Sequence, residues 1–225
     1  MSGGVVQAII LILAALVLFT SFVQISRERL LPAIHAFAWQ GALVAAVTGL
    51  IATTGQAPGL YFSAALTLLL KALLIPWLLH RLVRHLKLAR HRDPLGHPIL
   101  TVILAVALVV FSYWLVLPIV AHSLSSTRNI IAISLAVVLL GLLMMVVRSQ
   151  AVAQVLGFMS MENGLFLAAV SATQGMPLVV ELGVAFDVMV AAVLFGVFFL
   201  ELGEGGELHN VDRLNRLDET RDGDL

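Results

Sequence analysis

Seven mostly apolar runs, each close to twenty residues, leave this chain little choice of fold. They fall at about 4–24, 31–53, 60–82, 98–121, 129–147, 150–172 and 178–200. A helix needs roughly 20 apolar residues to cross the hydrocarbon core of a bilayer. The expected fold class is therefore all-α, a polytopic membrane helix bundle of about seven transmembrane helices. Composition agrees. Only 12% of residues are charged, against about 25% in a soluble domain. Mean hydropathy is +1.04. The chain cannot furnish a soluble surface.

Turn chemistry separates the runs: "SRERLLP" after the first, "TTGQAPG" after the second, "HRDPLGHP" after the third and "TQGMP" after the sixth. Only "RSQ" separates the fifth from the sixth, so these two are expected to be antiparallel neighbours. The first run, about 4–23, lacks a basic n-region and a clear cleavage site, and is expected to be a retained helix. The spans and the polar end divide the chain into a four-helix membrane segment (1–122), a three-helix membrane segment (123–202) and a polar tail (203–225).

Basic residues orient the bundle. In a seven-span arrangement, Arg27 and Arg29, the cluster from Arg81 to Arg92, Arg148, and the tail arginines Arg213, Arg216 and Arg221 all share one side. Arg128 stands alone on the other, and Lys71 lies inside a span. The positive-inside rule then puts the N-terminus outside and the C-terminus in the cytoplasm.

Charge and residue types exclude several functions. Lys plus Arg and Asp plus Glu balance at 13 each, which implies no nucleic-acid partner. No cysteine is present, so no disulfide, thiolate-bound iron–sulfur cluster or Cys-based zinc site belongs to this chain. There is no phosphate-binding glycine loop, no catalytic triad and no metal-spaced set of ligands. His80, His85, His91 and His97 surround one junction, where a headgroup position suits them better than a metal.

Three ionisable residues interrupt the apolar runs near their middles: Lys71 in "ALTLLLKALLIP", Glu162 in "MSMENGLF" and Asp187 in "GVAFDVMVAA". Charged and unpaired, they would together cost on the order of 8–10 kcal/mol. They are expected to face the bundle interior, where they can pair, meet water or become neutral. Such groups build proton and ion paths in membranes, and they also serve as buried pairs that fix packing. Thr67 and Ser63 lie on the expected face of Lys71, and Gln154 two turns before Glu162 on its face. Pro76 cannot hydrogen-bond to the carbonyl of Ala72, which adds polarity beside the lysine. Asn163 and Glu181 are weaker path candidates, Glu181 lying only about a turn into the last span. In the tail, Val211, Leu214 and Leu217 are spaced to form one side of a short helix laid on a partner. A solvated tail is the alternative.

The basic turn "RSQAVAQVLG", the acid in "MENGLFLAAV", the Gly/Pro loop and the last helix with its polar tail resemble the three-helix K subunit of respiratory complex I. They resemble equally the C subunit of Mrp-type cation/proton antiporters. With four further helices in front, "LTLLLKALLIPWLL" in the third and the tail "HNVDRLNRLDE", the whole length is similar to hydrogenase-4 component E. Alignment through Gly157 and Asn163 puts the K subunit's first membrane glutamate at Met159, one turn before Glu162 on the same face. Alignment through Gly196 puts its second at Ala192, about a turn and a half from Asp187. Lys71 has no counterpart in the three-helix K subunit.

The resemblance implies a non-catalytic bacterial inner-membrane subunit of a membrane-bound [NiFe] hydrogenase. It would contribute to a proton or sodium path, and the tail would dock on a cytoplasmic partner. The implied partners are antiporter-like membrane subunits and a peripheral hydrogenase arm, which would hold the nickel–iron site and iron–sulfur clusters; no cofactor is expected in this chain. The alternatives are a subunit of an Mrp-type antiporter and a purely structural assembly subunit. A seven-helix retinal protein is disfavoured, because its Schiff-base lysine is expected in the last helix, which has none.

Overall fold

A computed structural model describes residues 3–55, 58–85, 97–119, 125–173, 183, 185–194 and 196. Apart from short turns, these residues are helical. The helices are α1 (Gly3–Ser26), α2 (Leu30–Gly55), α3 (Pro58–Thr67), α4 (Ile75–His85), α5 (Pro98–Ile119), α6 (Ser125–Val147), α7 (Ala151–Thr173) and a short α8 (Ala185–Leu194). A π-helical turn, Leu68–Leu74, joins α3 to α4 in one continuous rod. Six helical stretches are long and apolar enough to cross a membrane: Gly4–Ser26, Leu30–Thr53, Tyr61–Arg84, Pro98–Pro118, Arg128–Val147 and Ala151–Ala172. They coincide with the first six runs. Of the seventh run, the ten residues of α8 are described as helix.

Lipid-soluble helices must close their own backbone hydrogen bonds, and the chain supplements them at turns. Pro98 opens α5, where its missing N–H costs nothing. The Arg148 guanidinium, on the short turn between α6 and α7, donates to the Ile25 carbonyl at 2.7 Å and also to that of Arg27. It thereby ties the end of α1 to the α6–α7 turn.

Packing is closest between α6 and α7, and glycine explains it. A Cβ on Gly141 would stand 2.6 Å from the Met161 amide nitrogen, and one on Gly164 would stand 2.8 Å from the Ser134 carbonyl oxygen. With Gly157, which faces the Gly141 carbonyl, these residues bring two backbones together as small residues do in membrane interfaces. Helix α2 packs between α1, α3 and α7, whereas α5 lies at the periphery with Ile99, Val110 and Trp114 turned outward.

The interior is stratified. One apolar layer, near the Arg148 end, includes Ile34, Phe37, Leu78, Leu140 and Leu156. The other, towards the opposite end, includes Val17, Val47, Val137 and Leu167. Both layers draw residues from the four-helix and three-helix segments alike. Between them, near the middle of the spans, lie the buried polar residues Gln40, Lys71, Ser160, Glu162, Asn163 and Asp187. Hydrophobic burial holds the two ends, and the three buried residues Lys71, Glu162 and Asp187 meet in the stratum between.

Candidate functional site

Lys71 sits inside the π-helical turn. The Ile75 amide reaches back to the Leu70 carbonyl, one residue further than an α-helix would. The cause lies just beyond it: the Pro76 ring would crowd the carbonyl four residues back, and the wider turn relieves that clash. Pro76 also has no amide to continue the π register to the Lys71 carbonyl. The sequence expectation put the missing bond at Ala72; the widened register moves it to Lys71, and π turns of this kind gather at functional positions.

Gly41 on α2 admits this turn. A Cβ at Gly41 would lie 2.9 Å from Lys71 Cβ and 3.2 Å from its carbonyl oxygen. The lysine is thereby carried fully inside, 1% exposed, with Ser63 and Thr67 buried on the same side of the rod. Its ammonium meets Glu162 Oε2 at 2.6 Å and Asp187 Oδ1 at 3.3 Å. It also lies 5.6 Å from the Phe166 ring centroid, within cation–π range. Glu162 and Asp187 are 8% and 1% exposed. Three helices thus bring the three mid-span charges of the sequence into one site.

The site holds one cation and two acids. Such a cluster, removed from water, is stable only if the excess negative charge is offset. Pairing Lys71 with both carboxylates shares one positive charge between two sites, the arrangement in which a small displacement of the ammonium favours one acid over the other.

Beside the ions lies a network of amides and hydroxyls. Gln40 Nε2 donates to Ser21 Oγ at 2.8 Å and to Ser160 Oγ at 3.0 Å, while Gln40 Oε1 accepts from Gln24 Nε2 at 3.0 Å and Asn163 Nδ2 at 3.2 Å. This chain spans α1, α2 and α7 and ends at the neighbour of Glu162. Asn163, a weaker candidate from the sequence, is one of its members. Gln24, Gln40, Ser21 and Ser160 were missed, although Gln24 and Gln40 stand conspicuously in apolar runs, "SFVQIS" and "AFAWQGAL". Uncharged amides carry a smaller burial cost than ions and attract less notice.

The remaining candidates are elsewhere. Gln154 is exposed near the start of α7 and donates to the Arg148 carbonyl at 2.9 Å. Glu181 and the tail residues Val211, Leu214 and Leu217 lie outside the described residues. Of the positions aligned with the K subunit's glutamates, Met159 is fully buried and Ala192 is exposed. Asp187 is the acid of α8 that faces the lysine. Among the described residues, no three of His, Asp and Glu are grouped to hold a metal.

A bundle of long apolar helices around a buried lysine and two acids defines a multi-pass membrane protein with an ionisable centre. The chain is 32% identical over 197 residues to "Uncharacterized protein Rv0085" of Mycobacterium tuberculosis, covering 87% of this chain and 84% of that one. It belongs to the same family. It is more distantly similar to "Hydrogenase-4 component E" of Escherichia coli and of Shigella flexneri, 25% identical over 182 residues, 81% of this chain and 84% of the relative in each case. No family model matches the chain, and no solved structure matches it.

Proposed function

We propose that this chain is a bacterial inner-membrane subunit of a respiratory assembly related to complex I, specifically a membrane-bound [NiFe] hydrogenase. In that assembly Lys71, Glu162 and Asp187 form part of a proton path. The observation that carries this reading is the unequal triad near mid-depth, one ammonium between two buried carboxylates on separate helices. A permanent ion pair needs one acid. A second acid sharing the same lysine gives the cluster a place for one exchangeable proton. When a proton arrives on one carboxyl, the ammonium is released towards the other; when it leaves, the ammonium returns.

The distant similarity to hydrogenase-4 component E favours a redox complex over an independent antiporter. The nickel–iron site and iron–sulfur clusters belong to partner subunits in this reading, and this chain supplies no catalytic group. Antiporter-like subunits would continue the path within the membrane, and the tail around Val211, Leu214 and Leu217 would engage the cytoplasmic arm.

Glu162→Gln tests the relay. Glutamine preserves the size of the side chain and removes its titration. The variant should assemble and retain hydrogen turnover when coupling is bypassed, while proton uptake per hydrogen turned over in membrane vesicles is largely lost, since a positioned proton-transfer group contributes roughly 10²–10⁴-fold to the rate of its step. An unchanged ratio would leave Glu162 as a packing group. Orientation has its own check: a reporter fused after Leu225 should report cytoplasm, and one at Gly55 or Gly175 the outside. Cytoplasmic exposure near Gly175 would invert the arrangement.

A further inference from the structure

At the Arg148 end of the bundle, the start of α2 and the end of α4 meet in a basic, aromatic patch that the buried triad does not use. The imidazoles of His35 and His80 touch there, with ring centroids 5.8 Å apart. On α4, Trp77, His80, Arg81 and Arg84 recur at helical spacing and share one side. On α2, Trp39 stands one turn deeper than His35 on the same side. Arg81 Cζ lies 5.4 Å from the Trp77 ring centroid, and Arg84 is within electrostatic reach of His80. Both indoles are turned outward, 69% exposed at Trp39 and 52% at Trp77. Two guanidiniums and two imidazoles are thus gathered in one place, and neither helix contains an Asp or Glu to offset them. Glu28, in the turn before α2, lies between Arg27 and Arg29.

We propose that this patch binds one anionic glycerophospholipid, its phosphodiester held by Arg84, His80 and His35 and the upper part of its acyl chains laid on Trp39 and Trp77. Charge complementarity selects the head. Guanidinium–phosphate hydrogen bonds are charge-assisted and can be bidentate, imidazole N–H groups donate to the same oxygens, and Arg81, laid against the Trp77 ring, adds its charge beside them. Depth selects the tail. The span Tyr61–Arg84 has 24 residues, about 36 Å of helix, whereas the hydrocarbon core is roughly 30 Å thick. Its last turn therefore stands among headgroups, and Trp77 stands at their boundary with the chains, where indoles place their apolar body in lipid and their N–H towards water. A free phosphate would meet the cations but leave both indoles uncovered. A zwitterionic lipid brings a cation of its own and offsets less of the charge. The site requires only that the chain spans a bilayer, and it is independent of the proton path.

The test uses the full chain with Trp114→Phe, which leaves Trp39 and Trp77 as its tryptophans, reconstituted in phosphatidylcholine bilayers. Phosphatidylglycerol or phosphatidylcholine, brominated in the upper part of one acyl chain, is titrated in as the fluorescence quencher. Brominated phosphatidylglycerol should reach half-maximal quenching at a mole fraction about fivefold lower than brominated phosphatidylcholine, the gain expected of one arginine near an anionic headgroup. His80→Gln combined with Arg84→Gln should erase that preference. Arg27→Gln, which removes an exposed arginine of the neighbouring turn, should leave it unchanged, and so should inorganic phosphate exchanged for chloride at constant ionic strength. Equal quenching by the two lipids in the unaltered patch would overturn the proposal and leave the patch to an acidic protein partner. A preference lost equally in Arg27→Gln would reduce it to diffuse surface charge, and displacement by inorganic phosphate would make it a soluble-anion site; either result overturns it. If the double variant fails to fold, the exposed Arg84→Gln decides alone: an undiminished preference refutes the site.

Discussion

Lys71→Met is expected to destabilise the bundle by about 3–5 kcal/mol, the usual loss when one partner of a buried ion pair is removed. Methionine nearly matches the aliphatic stem in length, so the cavity contribution is small. What remains is electrostatic. Glu162 and Asp187, both buried, lose the ammonium that lies 2.6 and 3.3 Å from them and face each other as like charges. The protein can limit the loss by taking up protons on the two acids, which removes their mutual repulsion.

A combined Lys71→Met, Glu162→Gln and Asp187→Asn variant should recover most of that stability, since removing a whole buried ionic cluster is often neutral. Denaturation in mixed detergent, with the folded fraction followed by helical circular dichroism, measures both. A Lys71→Met variant as stable as the unaltered chain would show that the cation does not hold the acids in place. A combined variant that stays as unstable as Lys71→Met would assign the loss to packing around the π turn.

Gly141→Ala should have the second large effect, and the opposite sign from its local propensity. In an exposed helix, glycine to alanine gains about 1 kcal/mol. Here the added methyl would meet the Met161 nitrogen at 2.6 Å and the Gly157 oxygen at 2.7 Å, both backbone atoms that cannot rotate aside. The two helices must separate, and the expected net loss is about 2–3 kcal/mol, at the upper end of overpacking costs. Because α7 carries Glu162, separation also disturbs its contact with Lys71. Gly49→Ala is the control: its nearest neighbour, Ala64 Cβ, would be 4.0 Å away, so it should be neutral or slightly stabilising. Thermal unfolding of the two variants in the same detergent compares them. Equal melting temperatures would mean that the α6–α7 contact is looser than described.

The six long spans were legible in the sequence because lipid imposes a length and a composition, and the runs satisfy both with little ambiguity. The convergence of Lys71, Glu162 and Asp187 was legible by the same logic, since the cost of lipid exposure drives each inward and opposite charges then meet. Three features were not. The π turn depends on how Pro76 relieves its clash, a choice between kinking and widening that the residue types leave open. The Gln40 network depends on helix rotation, and a lone amide in an apolar run can point either way. Gln154 lies on the face of Glu162 by helical spacing, yet two turns carry it from the central stratum to the exposed end of α7. A face specifies direction and says nothing of depth.

The glycine contacts between α6 and α7 have a mechanical consequence. Two backbones in direct touch leave no layer of side chains between them to shear or repack, so the hairpin behaves as a single stiff beam, pinned at its turn by Arg148 to the end of α1. Glu162 is bolted to that beam. Lys71, by contrast, reaches the site on a long side chain from the widened turn of its rod. Of the pair at the centre of the site, the acid stands on the stiffer support and the lysine on the longer side chain. The Leu68–Leu74 turn is itself pressed against Gly41 of α2, so any change in the 2.6 Å gap falls on the rotatable bonds of the Lys71 side chain and not on either backbone.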